Sequence, residues 1–329
     1  RHADGLGLRL GLDPARNDFN VSGATLNRVI AADMRACHLL LAALLVATAC
    51  TSSNDDAPLD PAPPPGGQQL ATTPFKLAPG QEIYMCYQFY SPSDKPVTIT
   101  HVDSISMPGI HHMGVYQAFE MNEPDAPHEC LVLIKDTWLP IFVANTGSHE
   151  LQLPDGVGIT IQPHTQYIVQ LHLLNATEDT LDVRGGVNFT YSDESNLQPA
   201  GIFAIGNQEI NIPAGATDYQ VSESCVMGKT RNVFAVLPHM HELGTEFDVT
   251  LTPQGGSASS FYEVDPWIFG NQPLTPLVYT AQPTDTFNVT CHWDNPGTSP
   301  VVYGESTTNE MCYFVMYWYP YDMLDGCIG

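Results

Sequence analysis

Six stretches of the chain alternate apolar and polar side chains with a period of two: Val97–Val102, Gly158–Gln162, Tyr167–Leu173, Val187–Tyr191, Phe247–Leu251 and Phe287–Cys291. Alternation of this kind places successive side chains on opposite faces of a strand and leaves no helical stripe. Turn-forming groups punctuate these stretches, among them Pro108-Gly109, Pro154-Asp155-Gly156, Asn295-Pro296-Gly297 and the pair Gly255-Gly256 after Pro253. No long window sustains a period of 3.6, and 27 Pro and 26 Gly in 329 residues work against long helices. The expected class is all-β, built as antiparallel sandwiches. The chain is too long for one comfortable sandwich, so two domains are expected, at 74–198 and 199–329, with the boundary at Gln198-Pro199-Ala200-Gly201.

The N-terminal part reads differently. Residues 1–33 precede the first methionine and are either an extension or sequence upstream of the true start. From Met34 the pattern becomes specific: Arg35, an apolar run from Leu39 to Val46, then Ala47-Thr48-Ala49-Cys50. A charged start, a short apolar segment and small residues before a cleavage point make an export signal. The apolar run is too short for a comfortable membrane span. Cys50 directly after the small residues resembles the lipidation box of bacterial lipoproteins, although Ala47 stands where that box usually carries Leu. Residues 1–50 are therefore expected to be an upstream extension plus signal, with Cys50 lipidated. Residues 51–73, polar and then Pro-rich, are expected to be a disordered linker.

Charge narrows the partners. The chain carries 11 basic and 36 acidic residues, a net charge of -25; beyond residue 50 only 6 basic residues remain. A polyanion has little affinity for phosphate backbones, so nucleic acid is excluded as a partner. Anionic membranes repel it too, which leaves an N-terminal lipid anchor as the one expected membrane tie. Oligomeric state has no signature in the sequence. Six cysteines follow residue 50 (Cys86, Cys130, Cys225, Cys291, Cys312 and Cys327). An even number in an exported chain suggests three disulfides in an oxidising compartment, in the periplasm or at the cell surface.

Ten histidines lie beyond residue 50, and five are unusually placed. His239 and His241 are two apart, so on a strand their imidazoles share a face and can converge on one ion. His111 and His112 are neighbours, which a regular strand would point apart. Both can serve one ion only at a bulge or a strand end, and Pro108-Gly109 just upstream makes such an irregularity plausible. His172 at the end of an alternating strand completes a set of three imidazoles. Neutral imidazoles without carboxylates suit copper or zinc rather than calcium or magnesium. A thioether from Met311, just before the aromatic stretch Tyr313–Tyr319, would move the preference to copper, although a lone Met more often simply fills a core. Glu242 follows His241, but no HExxH pattern is present, which disfavours a zinc hydrolase. His101, His128, His149, His164 and His292 show no comparable pattern.

The order His111-His112-Met113, Gln170-Leu171-His172, His239-Met240-His241-Glu242-Leu243-Gly244 and Asn309-Glu310-Met311-Cys312 resembles the copper type II ascorbate-dependent monooxygenases. That family includes the peptidylglycine α-hydroxylating and dopamine β-monooxygenases. The resemblance runs over roughly residues 75–329. It implies two jelly-roll-like sandwiches with two coppers facing across an open cleft: His111, His112 and His172 on an electron-transfer copper, His239, His241 and Met311 on an oxygen-binding copper. It also implies the pairings Cys86–Cys130, Cys225–Cys327 and Cys291–Cys312. Tyr84-Met85-Cys86, Leu153–Gly158 and Val233-Phe234-Ala235 fall where the family has similar residues. Departures concern substrate. Leu237 stands where the peptide-hydroxylating members carry Arg, and Tyr313 and Val315 stand where they carry Asn and Tyr.

The function this implies is hydroxylation of a C–H bond in a small organic molecule, with O2 and ascorbate or another one-electron reductant as co-substrates. With so few basic residues an anionic substrate is disfavoured. The alternative is a non-catalytic copper-binding or structural lipoprotein on the same scaffold.

Overall fold

The computed structural model describes residues 58–130, 135, 137–145, 149–194, 196–322 and 326–329. The export signal and Cys50 lie outside them. Among the described residues every regular element is a strand, and each of the six alternating stretches falls on one. The class is all-β, with mainly antiparallel sheets arranged as β-sandwiches.

Before residue 200 the strands form two principal sheets. One runs in the order 68–71, 186–192, 97–105, 157–161 and 198–199, with 150–152 paired to 97–105. The other runs 128–129, 82–90, 166–174, 110–118 and 138–145, and it carries His111, His112 and His172. After residue 200 a third sheet orders 275–281, 231–239, 313–319, 201–206 and 326–328, and a fourth orders 219–226, 286–293, 244–252 and 259–264.

Order begins earlier than the composition suggests. Gln68–Ala71, inside the stretch expected to be a linker, pairs in register with Gly186–Phe189. The Gln69 side chain explains part of this. Its Oε1 accepts the Leu59 N–H and its Nε2 donates to the Leu59 and Pro61 carbonyls, so the preceding proline-rich chain gains backbone partners.

The aromatic strand Tyr313–Tyr319 joins the two parts of the core. Phe314, Met316 and Trp318 enter the core of the later sheets. Val315, Tyr317 and Tyr319 pack against the core of the earlier ones. A strand buried on both faces is continuously apolar instead of alternating, which is how this segment reads. Each fully buried aromatic of this kind stabilises by about 1.5–3 kcal/mol. The Val143 N–H donates to the Tyr317 hydroxyl at 2.9 Å, a hydrogen bond across the same junction.

Three disulfides join Cys86 to Cys130, Cys225 to Cys327 and Cys291 to Cys312, the pairings expected from the family resemblance. They fit an oxidising compartment.

Candidate metal centre

His112 and His172 sit directly opposite one another on neighbouring antiparallel strands. The next pair is Leu173 with Ile110, so His111 is the extra residue of a bulge. Gly109, at φ +98, turns the chain into this strand, and its carbonyl accepts the Leu174 N–H. A side chain there would be strained and would collide with Val183. The bulge lets adjacent histidines serve one point. The ligand atoms of His111, His112 and His172 lie within 4.8 Å of one another, and all three residues are buried.

The His239–His241 pair departs from expectation. His239 is the last residue of strand Arg231–His239, and His241 lies beyond it, in the connection to Gly244–Thr252. Glu310 explains the break. Its buried carboxylate accepts the N–H groups of His241 and Leu243 and the Trp293 indole N–H, drawing the backbone out of the sheet. Burial pushes the Glu310 carboxyl up to about 7 despite these donors. The two rings still meet, with centroids 5.2 Å apart.

The imidazoles are oriented by oxygens that no sequence motif announces. His172 Nε2 lies 2.8 Å from Glu82 Oε1. His239 Nδ1 lies 2.8 Å from Gln272 Oε1, and His241 Nδ1 lies 3.0 Å from the Asn309 carbonyl. An oxygen acceptor on one ring nitrogen places the N–H there and frees the lone pair of the other. The Nε2 atoms of His112, His239 and His241 are buried with no hydrogen-bond partner. Burial, with mutual repulsion among the rings, pushes His111 and His239 down to about 3, His241 to about 4 and His112 well below its ordinary value. Neutral rings with unsatisfied lone pairs are what a metal requires of histidine.

Glu82 behaves in the opposite sense. Burial alone would raise its carboxyl, but the His172 ring and the Thr307 N–H outweigh that and bring it to about 2. Tyr84 stacks flat on His172, centroids 4.1 Å apart. Met311 is buried to 1% exposure, yet it is absent from the residues that pack the hydrophobic cores. It follows the Asn309 that orients His241, and it precedes the disulfide-bonded Cys312.

The open cleft implied by the resemblance is not what the structure shows. The His112 and His239 rings stand 6.0 Å apart, edge to face. Phe269 covers His111 at 4.3 Å and reaches His241 at 6.4 Å. Gln272 also accepts the Asn145 amide, and Glu82 accepts Thr307, so both orienting side chains bind across the junction that carries the two histidine groups. A cleft of about 300 Å³ elsewhere is lined by Pro58, Gln69, Phe89 and Arg184 and touches none of these histidines.

Residues 198–329 match the family model described as the copper type II ascorbate-dependent monooxygenase, C-terminal domain. Over these residues the chain is similar to the C-terminal domain of this monooxygenase family. DBH-like monooxygenase protein 2 of Homo sapiens is 23% identical over 202 residues, which are 56% of this chain and 40% of that protein. Among solved structures, PNGase F, a glycosylasparaginase from Flavobacterium meningosepticum, aligns with a TM-score of 0.38 and 9% identity, over 77% of this chain and 94% of that one. An allantoicase aligns with a TM-score of 0.21 and 10% identity, over 73% of this chain and 78% of that one. Neither likeness carries an argument about function.

The donors suit the metal of the monooxygenase family. Neutral imidazoles favour copper or zinc over hard cations. Four other histidines lie beside carboxylates instead: His101 with Asp103 and Glu150, His128 with Glu123, His164 with Asp94, and His292 with Asp218 and Asp248.

Proposed function

We propose that the chain is a copper-dependent monooxygenase that hydroxylates a C–H bond of a small organic substrate, using O2 and ascorbate or another one-electron reductant. One observation carries this reading above the rest. His239 and His241 each have one nitrogen fixed by a protein oxygen while the other is buried and unpaired. A purely structural histidine would have little reason to leave a buried nitrogen unmet.

His111, His112 and His172 would hold one copper; His239, His241 and Met311 would hold the other. Copper, when bound, would supply the one-electron chemistry by which a reductant delivers electrons to dioxygen. The protein's own contribution is positional. Glu82, Gln272 and the Asn309 carbonyl fix ring tautomers, so the donor lone pairs need no rearrangement when metal enters. The apolar surroundings, with Phe269 over His111, keep water from the site. Leu237 offers no cation for a peptide carboxylate, which turns the substrate class toward neutral or cationic small molecules.

The same reading divides the chain into copper-bearing domains at 74–198 and 199–329, and makes it an exported lipoprotein anchored at Cys50. Intact mass of the membrane-extracted protein tests the anchor, and an unmodified Cys50 in the exported protein would refute it. For the activity, oxygen uptake is measured with ascorbate, with and without copper, across candidate substrates. Copper- and substrate-dependent uptake with labelled oxygen in the product supports the enzyme. Bound copper without such uptake would instead establish a copper-binding protein.

A further inference from the structure

The Gln272 side chain is fully buried and meets both halves of the junction. Its Nε2 donates to the Phe269 carbonyl at 2.9 Å. Its Oε1 lies 2.8 Å from His239 Nδ1 and accepts from Asn145 Nδ2 at 3.1 Å. Asn145 is buried too, ends strand Trp138–Asn145 and stands directly opposite His112. A residue of the sheet that carries the first histidine group therefore reaches a ring of the second through one oxygen.

A primary amide can offer an imidazole either its oxygen or its nitrogen. With the oxygen toward His239, Nδ1 carries the proton and Nε2 keeps its lone pair for a metal. With the nitrogen toward His239, Nδ1 must accept, and the proton moves to Nε2, where it blocks a metal.

The other partners of the amide decide which end faces the ring. The Phe269 carbonyl can only accept, so it takes Nε2. The Asn145 NH2 can only donate, so it holds Oε1. Phe269 lies in the same connection as Gln272, between strands Ser259–Val264 and Thr275–Ala281, and can move with it. Asn145 belongs to a strand paired along its length with Ile110–Ala118, so of the two it is the fixed point. A bond that merely tied the loop to the sheet could run the other way, with the asparagine oxygen accepting from the glutamine NH2. The observed direction is the one that serves His239.

Resting on the reading of His239 as a copper ligand, we propose that Asn145 is a positioning residue for the second histidine group. Acting through Gln272, it holds an oxygen on His239 Nδ1 and so keeps Nε2 as the metal donor.

The test uses the full chain. Two-bond nitrogen–proton couplings in the metal-free protein show which ring nitrogen of His239 carries the proton, and His239→Gln identifies that ring's signals. Cu(I) affinity is measured by chelator competition. The wild type should show the Nδ1–H tautomer. Asn145→Asp, ionised at mildly alkaline pH, can only accept. It should turn the Gln272 amide over, move the His239 proton to Nε2 and weaken the second copper by about 10–100-fold. Asn145→Leu, which removes the donor without adding charge, should show both tautomers. An Nε2–H tautomer in the wild type would overturn the proposal without any variant. So would an unchanged Nδ1–H tautomer in both variants, which would make Asn145 a structural tie and leave the copper reading intact. A His239→Gln variant that holds copper as tightly as the wild type at both histidine groups would overturn the copper reading, and the proposal with it.

Discussion

Glu82 Oε1 sits 2.8 Å from His172 Nε2 and accepts the Thr307 N–H at 2.9 Å. One carboxylate thus orients an imidazole of the first histidine group and binds the segment that leads, through Asn309, to Met311. Across the same junction Gln272 links His239 to Asn145.

Removing this carboxylate should act on metal before it acts on fold. Glu82→Ala is expected to weaken copper at the first histidine group about 10–100-fold, the usual cost of losing a hydrogen-bond partner of a ligand. Glu82→Gln, which keeps one acceptor oxygen, should lose less. Competition titration with a copper chelator measures both, and an unchanged affinity in Glu82→Ala would remove Glu82 from this role.

Met311 should matter to one copper only. Met311→Ile is expected to keep the copper of His111, His112 and His172 but to abolish ascorbate-driven oxygen chemistry. X-ray absorption should find a sulfur neighbour of copper in the wild type and none in the variant. A wild type without copper–sulfur scattering, or a variant with normal turnover, would show that Met311 is only a buried side chain.

Phe269 covers His111 from a loop of the later half of the chain. Phe269→Ala should open that ring to solvent and speed the binding of azide to the Cu(II)-loaded protein. Phe269 is only partly buried, so the stability cost should fall below the roughly 3–5 kcal/mol of a core phenylalanine. An unchanged azide on-rate would mean that the copper is reached by another path.

His292 gives a pH dependence away from the metal centre. Burial alone would lower its pKa, but hydrogen bonds to Asp218 and Asp248 and the nearby Glu246 raise it. A raised folded value means that the protonated ring stabilises the fold fully below its unfolded value of about 6.5. That contribution is lost as pH rises through the folded value. The wild type should therefore exceed His292→Asn in urea stability by more at pH about 5.5 than at about 8.5. The difference should stay within about 1 kcal/mol because Asp218 is exposed. A gap that is equal at both pH values, or wider at the higher one, would rule out the ion pair as the source.

The strand class was legible because period-two alternation is local, and so was the bulge at His111, since Pro108-Gly109 stands beside the two histidines. The placement of His241 was not. Spacing alone puts it on a strand with His239, while Glu310, 69 residues further on, draws its backbone out. Closure of the two histidine groups was equally hidden. It depends on Glu82 meeting Thr307 across 225 residues, and on Gln272 meeting Asn145 across 127. Single polar residues of this kind leave no periodic trace. The ordered strand Gln68–Ala71 was masked by the proline-rich composition before it, because its order comes from pairing with Gly186–Phe189 and not from its own sequence.

The most direct measurement is copper per chain after loading and exhaustive dialysis, for the wild type and for the double variant His239→Ala/His241→Ala. Two histidine groups predict two coppers in the wild type and one in the variant. A wild type that retains no copper, or a variant that retains as much as the wild type, would contradict the account.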